Sequence, residues 1–126
     1  YCQYVHARIC SLTPTAVEAG VWDGDRSFWR DYEPNYLEQP EEIDMAGHLA
    51  EFPELMERVA HNLSPHLLTE YVEELASRFH AWYQKHRIVD VEKPELSRDR
   101  LYLADCARRV MANGLKLLGC TAPEQM

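Results

Sequence analysis

Apolar residues recur along most of the chain at spacings of three and four positions, which is the period of an α-helix. One apolar face near the start of the chain consists of Tyr1, Val5, Ile9 and Leu12. We therefore predict a first helix over residues 1–12. It should end at Thr13, because a residue that precedes proline is pushed out of the α region.

The same period predicts four further helices, over residues 42–50, 53–63, 65–86 and 95–118. Ser64 followed by Pro65 is a helix start signal, since serine caps a helix and proline is tolerated at its first position. Gly119 suits the left-handed residue that ends a helix. The short helix after residue 42 would bury Ile43, Ala46 and either Leu49 or Ala50. No segment alternates like a strand, so the predicted fold class is all-α, a bundle of four to five helices.

Residues 13–45 interrupt the helical period. Glycine and proline punctuate the segment, and five aromatic residues lie within it. We predict a long loop packed over the surface, with a short helix near residues 26–32. So many aromatic residues argue against a disordered linker. If Trp22 and Trp29 are exposed, residues 20–42 could instead serve as the contact surface of a helical protein-interaction module.

Charge is unevenly distributed over the 126 residues, which carry a net charge of −8. Residues 18–60 hold twelve acidic and three basic side chains, and we interpret the acidic run at 38–44 as a solvated surface. Residues 81–116 hold eight basic side chains against five acidic ones. An anionic partner meets the local field, so the overall acidity does not exclude one.

Two groups of residues could carry chemistry. Cys2, His6 and Cys10 are spaced by four, but residues at this spacing drift around a helix and cannot easily surround one tetrahedral ion. We predict no metal site and interpret them as core thiols and a surface histidine. His80, Tyr83, His86 and Arg87 crowd the end of a long helix. They form either a solvated polar end or a platform on which a base stacks and a phosphate is bound.

Four stretches, in order, resemble the C-terminal anticodon-binding domain of arginyl-tRNA synthetases. The first is YCQYVHARICS at residues 1–11, and the second is LAEFPE at 49–54. The third combines SPHLL at 64–68 with FHAWY at 79–83 and HRIV at 86–89. The last is RVMANGLKLLG at 109–119, followed by TAPEQM at 121–126. The resemblance covers residues 1–12 and about 46–126.

The resemblance implies a class I synthetase anticodon-binding fold over residues 1–126, as a fragment of a longer cytoplasmic chain. Its expected partners are the anticodon arm of tRNA-Arg and the catalytic domain of the same chain, with no membrane and no DNA. The ATP-binding signatures of that catalytic domain have no counterpart here. We therefore expect no catalytic residues and no cofactor in this domain, while the full-length arginine–tRNA ligase would use ATP and Mg.

The resemblance also implies contact residues. Tyr4, Tyr83, Arg87 and Met126 match positions near the anticodon loop, although Tyr4 could equally be an inward core residue. Possible phosphate contacts are Arg8, Arg108, Arg109 and Lys116. Two departures stand out: residues 13–45 do not follow the family pattern, and Gln125 replaces the usual arginine.

Overall fold

A computed structural model describes residues 1–62, 64–120 and 122–124. Its described residues form six α-helices and one short 3₁₀ helix, with no strand. The helices are α1 (Cys2–Cys10), α2 (Leu12–Ala19), α3 (Pro40–Ala50), α4 (Phe52–Asn62), α5 (Pro65–Lys85) and α6 (Pro94–Leu117), and the 3₁₀ helix spans Arg26–Trp29. The all-α class is confirmed, and five of these helices are those that the apolar period predicts.

Helix α2 lies where the sequence predicts a loop. The backbone stays in the helical region through Ser11, so α2 follows α1 directly. Pro14 occupies the third position of α2, where a missing N–H leaves no internal hydrogen bond unmade. Proline therefore breaks the helix after Cys10 but does not prevent a new one. Gly20, with a φ of 77°, ends α2 in the left-handed conformation.

Helices α1 and α3 pack against both long helices, α5 and α6, and α4 packs against α5; one continuous apolar core fills the space between them. Its largest fully buried side chains include Trp82, Phe79, Met45, Leu75 and Met111. Three predicted core positions are wrong: Tyr1, Ile43 and Ala46 are exposed. Tyr1 lies before the first residue of α1, and α3 turns Glu42, Met45 and His48 to the core in place of Ile43 and Ala46.

Helix α3 buries an acidic residue where the sequence predicts a solvated charge run. Glu42 is 1% exposed. Its carboxylate accepts hydrogen bonds from Trp82 Nε1 at 3.1 Å and from Arg100 Nε at 2.7 Å. The backbone N–H of Gln39 donates to the other carboxylate oxygen at 3.1 Å, which fixes the first turn of α3. This Glu42 network joins α3, α5 and α6.

The close approach of α5 and α6 depends on Gly114. A Cβ atom added to Gly114 would lie 2.6 Å from Cγ2 of Val72, a residue that is 1% exposed. No side chain larger than hydrogen fits there without moving one helix. The match RVMANGLKLLG therefore contains a glycine that packing requires.

Replacement of Arg100 should test the Glu42 network. Arg100→Met leaves the carboxylate of Glu42 buried without its cation, so we expect the free energy of unfolding to fall by about 3–5 kcal/mol. Arg78→Met is the control, because Arg78 pairs with the exposed Asp44 and Glu74 and its loss should cost about 1 kcal/mol or less. Urea unfolding followed by circular dichroism measures both, and equal losses would contradict a structural role for the buried pair.

Replacement of Gly114 should test the close contact between the two long helices. Gly114→Ala introduces the clash with Val72, and we expect a loss of about 1–3 kcal/mol in the free energy of unfolding. Gly47→Ala is the matched control. A Cβ atom at Gly47 meets nothing within 4 Å, so alanine should stabilise α3 by about 0.5–1 kcal/mol. A Gly114→Ala variant as stable as the parent would refute the close contact.

Candidate nucleic-acid interface

Two tyrosines and one arginine meet on the outer side of the contact between α1 and α5. Tyr4 and Arg8 are one turn apart on α1, and Tyr83 projects from the last turn of α5. Arg8 donates hydrogen bonds from Nη2 to the Tyr4 hydroxyl at 2.6 Å and from Nη1 to the Tyr83 hydroxyl at 3.4 Å. We call these three residues the tyrosine–arginine cluster.

The guanidinium group of Arg8 also lies over both aromatic rings. Its central carbon is 5.4 Å from the ring centroid of Tyr4 and 5.1 Å from that of Tyr83. Cations within about 6 Å of a ring centroid are attracted by the ring quadrupole. The hydrogen bonds from Arg8 to Tyr83 and Tyr4 raise the pKa of Arg8, which keeps the guanidinium group charged.

The tyrosine–arginine cluster combines one exposed aromatic ring with one ring that packs on the core. Tyr4 is 46% exposed, which excludes the inward core position that the sequence left open. Tyr83 is partly buried and packs on Phe79, with 5.9 Å between the ring centroids. An aromatic face and a planar cation held in this way can stack on an unpaired base and donate hydrogen bonds to its edge.

Arg87 lies apart from the tyrosine–arginine cluster in the contacts that the structure describes. Helix α5 ends at Lys85, so the helical spacing from Tyr83 does not continue to Arg87. The exposed side chain of Arg87 donates from Nε to the carbonyl of Val89 at 3.0 Å. The carbonyl of Arg87 in turn accepts a hydrogen bond from Arg100 at 2.9 Å.

The two histidines near Tyr83 differ in their surroundings. His86 Nε2 lies 2.6 Å from a carboxylate oxygen of Glu41, in a partly buried contact between the end of α5 and the start of α3. This hydrogen bond lowers the pKa of the Glu41 carboxyl group. His80 is exposed on α5. His86 therefore takes part in a contact that supports the fold, whereas His80 is exposed to solvent.

Pro123, which follows α6, contacts His6 on α1. The prediction of a surface histidine is wrong, because His6 is buried. His6 is 3% exposed, and its Nδ1 lies 2.8 Å from the carbonyl oxygen of Pro123. It is buried because the segment after Gly119 covers it, a contact between residues 117 positions apart. Met126, a predicted anticodon contact, lies outside the described residues.

The predicted phosphate contacts on α6 are of two kinds. Lys116 is exposed near the end of the helix. Arg108 and Arg109 instead both approach the buried carboxylate of Asp105, with Nε–O distances of 3.0 and 3.3 Å. Arg26 approaches the same carboxylate at 3.4 Å from the 3₁₀ helix. Asp105 is not among the residues predicted from the sequence. Its spacings of three and four positions from Arg108 and Arg109 nevertheless favour ion pairs on a helix.

Residues 20–42 pack against the rest of the domain through buried tryptophans and through hydrogen bonds to α6. Trp22 and Trp29 are buried, with 5.0 Å between their ring centroids, so their predicted exposure is wrong. Tyr32 donates a hydrogen bond to the buried carboxylate of Asp99 on α6. The backbone N–H groups of residues 35 and 36 donate to the same carboxylate at 2.8 and 2.7 Å. The protein-interaction hypothesis therefore loses its main support.

No helix within the described residues is both long and apolar enough to cross a membrane. Nor do these residues include a group of three or more histidine, cysteine, aspartate or glutamate side chains placed to hold a metal ion. The cysteines are free thiols, and Cys10 is the one that is buried among those described.

Aromatic rings and a guanidinium group on one face are the kinds of side chain that can stack on unpaired RNA bases. The family model described as "DALR anticodon binding domain" matches residues 2–126. The chain therefore belongs to the DALR anticodon-binding domain family.

Similar proteins agree with this assignment. An arginine–tRNA ligase from Clavibacter sepedonicus is 43% identical over 129 residues, and one from Geobacter sp. (strain M21) is 40% identical over 126. Both matches cover 100% of this chain and 22% of the relative, so the chain spans about a fifth of their length. The solved structure of Thermus thermophilus arginyl-tRNA synthetase superposes with a TM-score of 0.77 at 32% identity, covering 100% of this chain and 21% of that one.

Proposed function

We propose that this chain is the domain of an arginine–tRNA ligase that binds the anticodon arm of tRNA-Arg. The observation that carries the proposal is the tyrosine–arginine cluster, which joins the first and fifth helices at a partly exposed site. An anticodon loop presents unstacked bases, and aromatic rings bind these without requiring a duplex. The proposal extends to the longer protein: its other part would bind ATP and Mg and attach arginine to the tRNA in the cytoplasm.

Within this proposal, Tyr4 and Tyr83 stack on loop bases and Arg8 holds both rings in place. Arg87 and Met126 remain proposed contacts on the strength of the family match alone. Lys116 and the arginines of α6 would meet backbone phosphates, which position the RNA without reading its sequence. The segment before α3 packs on α6 through Asp99.

Binding to two RNAs tests the proposed function. We expect the 126-residue chain to bind tRNA-Arg in filter binding at low salt, and to bind a tRNA-Arg with an altered anticodon more weakly. Loop bases are the groups that the tyrosine–arginine cluster contacts, so only the anticodon is changed and the phosphate count stays constant. Equal affinity for both RNAs would contradict specific anticodon recognition.

Replacement of Tyr83 tests the stacking surface. Tyr83→Ala should cost about 1–3 kcal/mol of binding free energy, or roughly a five- to hundredfold rise in Kd for tRNA-Arg. Tyr83→Phe keeps the ring and should bind nearly as the parent does. In the full-length ligase, Tyr83→Ala should raise the KM for tRNA while arginine-dependent ATP–pyrophosphate exchange at saturating tRNA changes less.

Circular dichroism of the Tyr83 variants provides the control, because this side chain also packs on the core. An unchanged Kd and KM for a folded Tyr83→Ala variant would remove Tyr83 from the contact surface.

A further inference from the structure

Three arginines from two parts of the chain surround one buried carboxylate, that of Asp105, whose side chain is 8% exposed. Arg26 comes from the 3₁₀ helix, and Arg108 and Arg109 come from α6. Arg108 donates a hydrogen bond from Nε to the carboxylate at 3.0 Å, and the Nε atoms of Arg26 and Arg109 form ion pairs with it at 3.4 and 3.3 Å. We call these four residues the Asp105 arginine cluster.

Among the described residues, most hydrogen-bond donors of the three guanidinium groups have no acceptor. The atom that each arginine pairs with Asp105 is Nε, so this pairing leaves the terminal nitrogens for another acceptor. Within the part of the chain that the structure describes, one terminal nitrogen is engaged, Nη2 of Arg109, which lies 3.5 Å from Cys106 Sγ. The side chains of Arg26 and Arg109 are 39% and 53% exposed, so these donors are accessible to a ligand.

One carboxylate cannot neutralise three guanidinium groups. The field of the cluster reaches Cys10: burial raises the pKa of that thiol, whereas the positive charges of Arg108 and Arg26 oppose the rise. Glu124 acts on Cys10 in the opposite sense. Three arginines against Asp105 and Glu124 leave these five residues with a net positive charge, in a chain whose total is −8. Packing like charges together is unfavourable, and an anion bound between them would relieve that repulsion.

We propose that the Asp105 arginine cluster is a binding site for a phosphate group of the tRNA backbone. Arg26 and Arg109 are its contact residues, and Asp105 is a positioning residue that holds the arginines by Nε with their forked ends outward. Guanidinium forks match the spacing of two phosphate oxygens. The inference rests on the proposed function and adds a role for residues 13–45, which supply Arg26.

The salt dependence of binding tests the contact. The slope of log Kobs against log salt concentration falls by about 0.7–0.9 for each phosphate contact that is lost. We expect this reduction for Arg26→Gln bound to tRNA-Arg, and a similar one for Arg109→Gln. The control is Arg78→Gln, whose arginine pairs with two carboxylates on the surface of α3 and α5 and should leave the slope unchanged. A parental slope for Arg26→Gln would overturn the inference.

Asp105→Asn distinguishes positioning of the arginines from long-range electrostatic attraction, because the two effects change the salt slope in opposite directions. Asp105→Asn removes a negative charge, so long-range attraction alone would tighten RNA binding and steepen the slope. If Asp105 positions the arginines, the slope becomes shallower despite the added positive charge. A slope equal to or steeper than that of the parent would overturn the positioning role. Should Asp105→Asn fail to fold, Arg26→Gln still decides whether the cluster contacts phosphate.

A titration with inorganic phosphate distinguishes a tRNA phosphate from a free anion at the Asp105 arginine cluster. The parent and Arg26→Gln are both titrated, with thermal unfolding as the readout. One outcome would assign the site to a free anion and overturn the inference. In it, inorganic phosphate raises the unfolding temperature of the parent but not of Arg26→Gln, while Arg26→Gln keeps the parental salt slope for tRNA-Arg.

Binding of tRNA by the parent separates the failure of this site from the failure of the proposed function. A parent that binds tRNA-Arg with anticodon preference, beside an Arg26→Gln variant with a parental slope, defeats the phosphate site but not the proposed function. A parent that binds no tRNA defeats both.

Discussion

The hydrogen-bonded ion pair between Glu42 and Arg100 fixes α3, α5 and α6 relative to one another. Its two residues are 58 positions apart, and Trp82 donates to the same carboxylate, so one buried acid fixes three helices. A buried charge is tolerated only with its partners in place. Tyr83 directly follows Trp82, and its position beside Arg8 therefore depends on this network. The proposed RNA-binding surface therefore lies on a core that is held by directional bonds.

Buried carboxylates recur as anchors elsewhere on α6. Asp99 accepts hydrogen bonds from Tyr32 and from two backbone N–H groups, and Asp105 contacts Arg26. Both connect the acidic segment before α3 to the last helix. A segment with so many acidic side chains nearby would otherwise be repelled by an acidic protein. These anchors explain how residues 13–45 pack as part of the domain.

Local signals in the sequence predicted most of the helices, because apolar period, proline and glycine act over a few residues. Ser64-Pro65 and Gly119 mark helix ends to within one residue of those observed. The errors occurred where a distant partner decides. His6 is buried by Pro123, and Glu42 is buried by Arg100, neither of which is close in sequence. Helix α2 was missed because Pro14 was interpreted as a terminator when it lies in a first turn.

The candidate site likewise combines contacts that local spacing indicates with contacts between residues that are distant in sequence. The spacing of Tyr4 and Arg8 places them on one face of α1, which a sequence can indicate. The contact of Tyr83 with Arg8 joins residues 75 positions apart, which neither the spacing nor the family resemblance predicts. Arg26 and Asp105 could not be paired from the sequence, since their contact depends on how the segment before α3 folds back over α6.

RNA binding through the tyrosine–arginine cluster of α1 and α5 can be tested by nuclear magnetic resonance of the isotopically labelled chain, titrated with the anticodon stem-loop of tRNA-Arg. We expect the side-chain signals of Tyr4, Arg8 and Tyr83 to shift first and saturably, while those of Trp82 in the core move little. Saturable shifts confined to residues 20–42, with the cluster unchanged, would contradict this expectation.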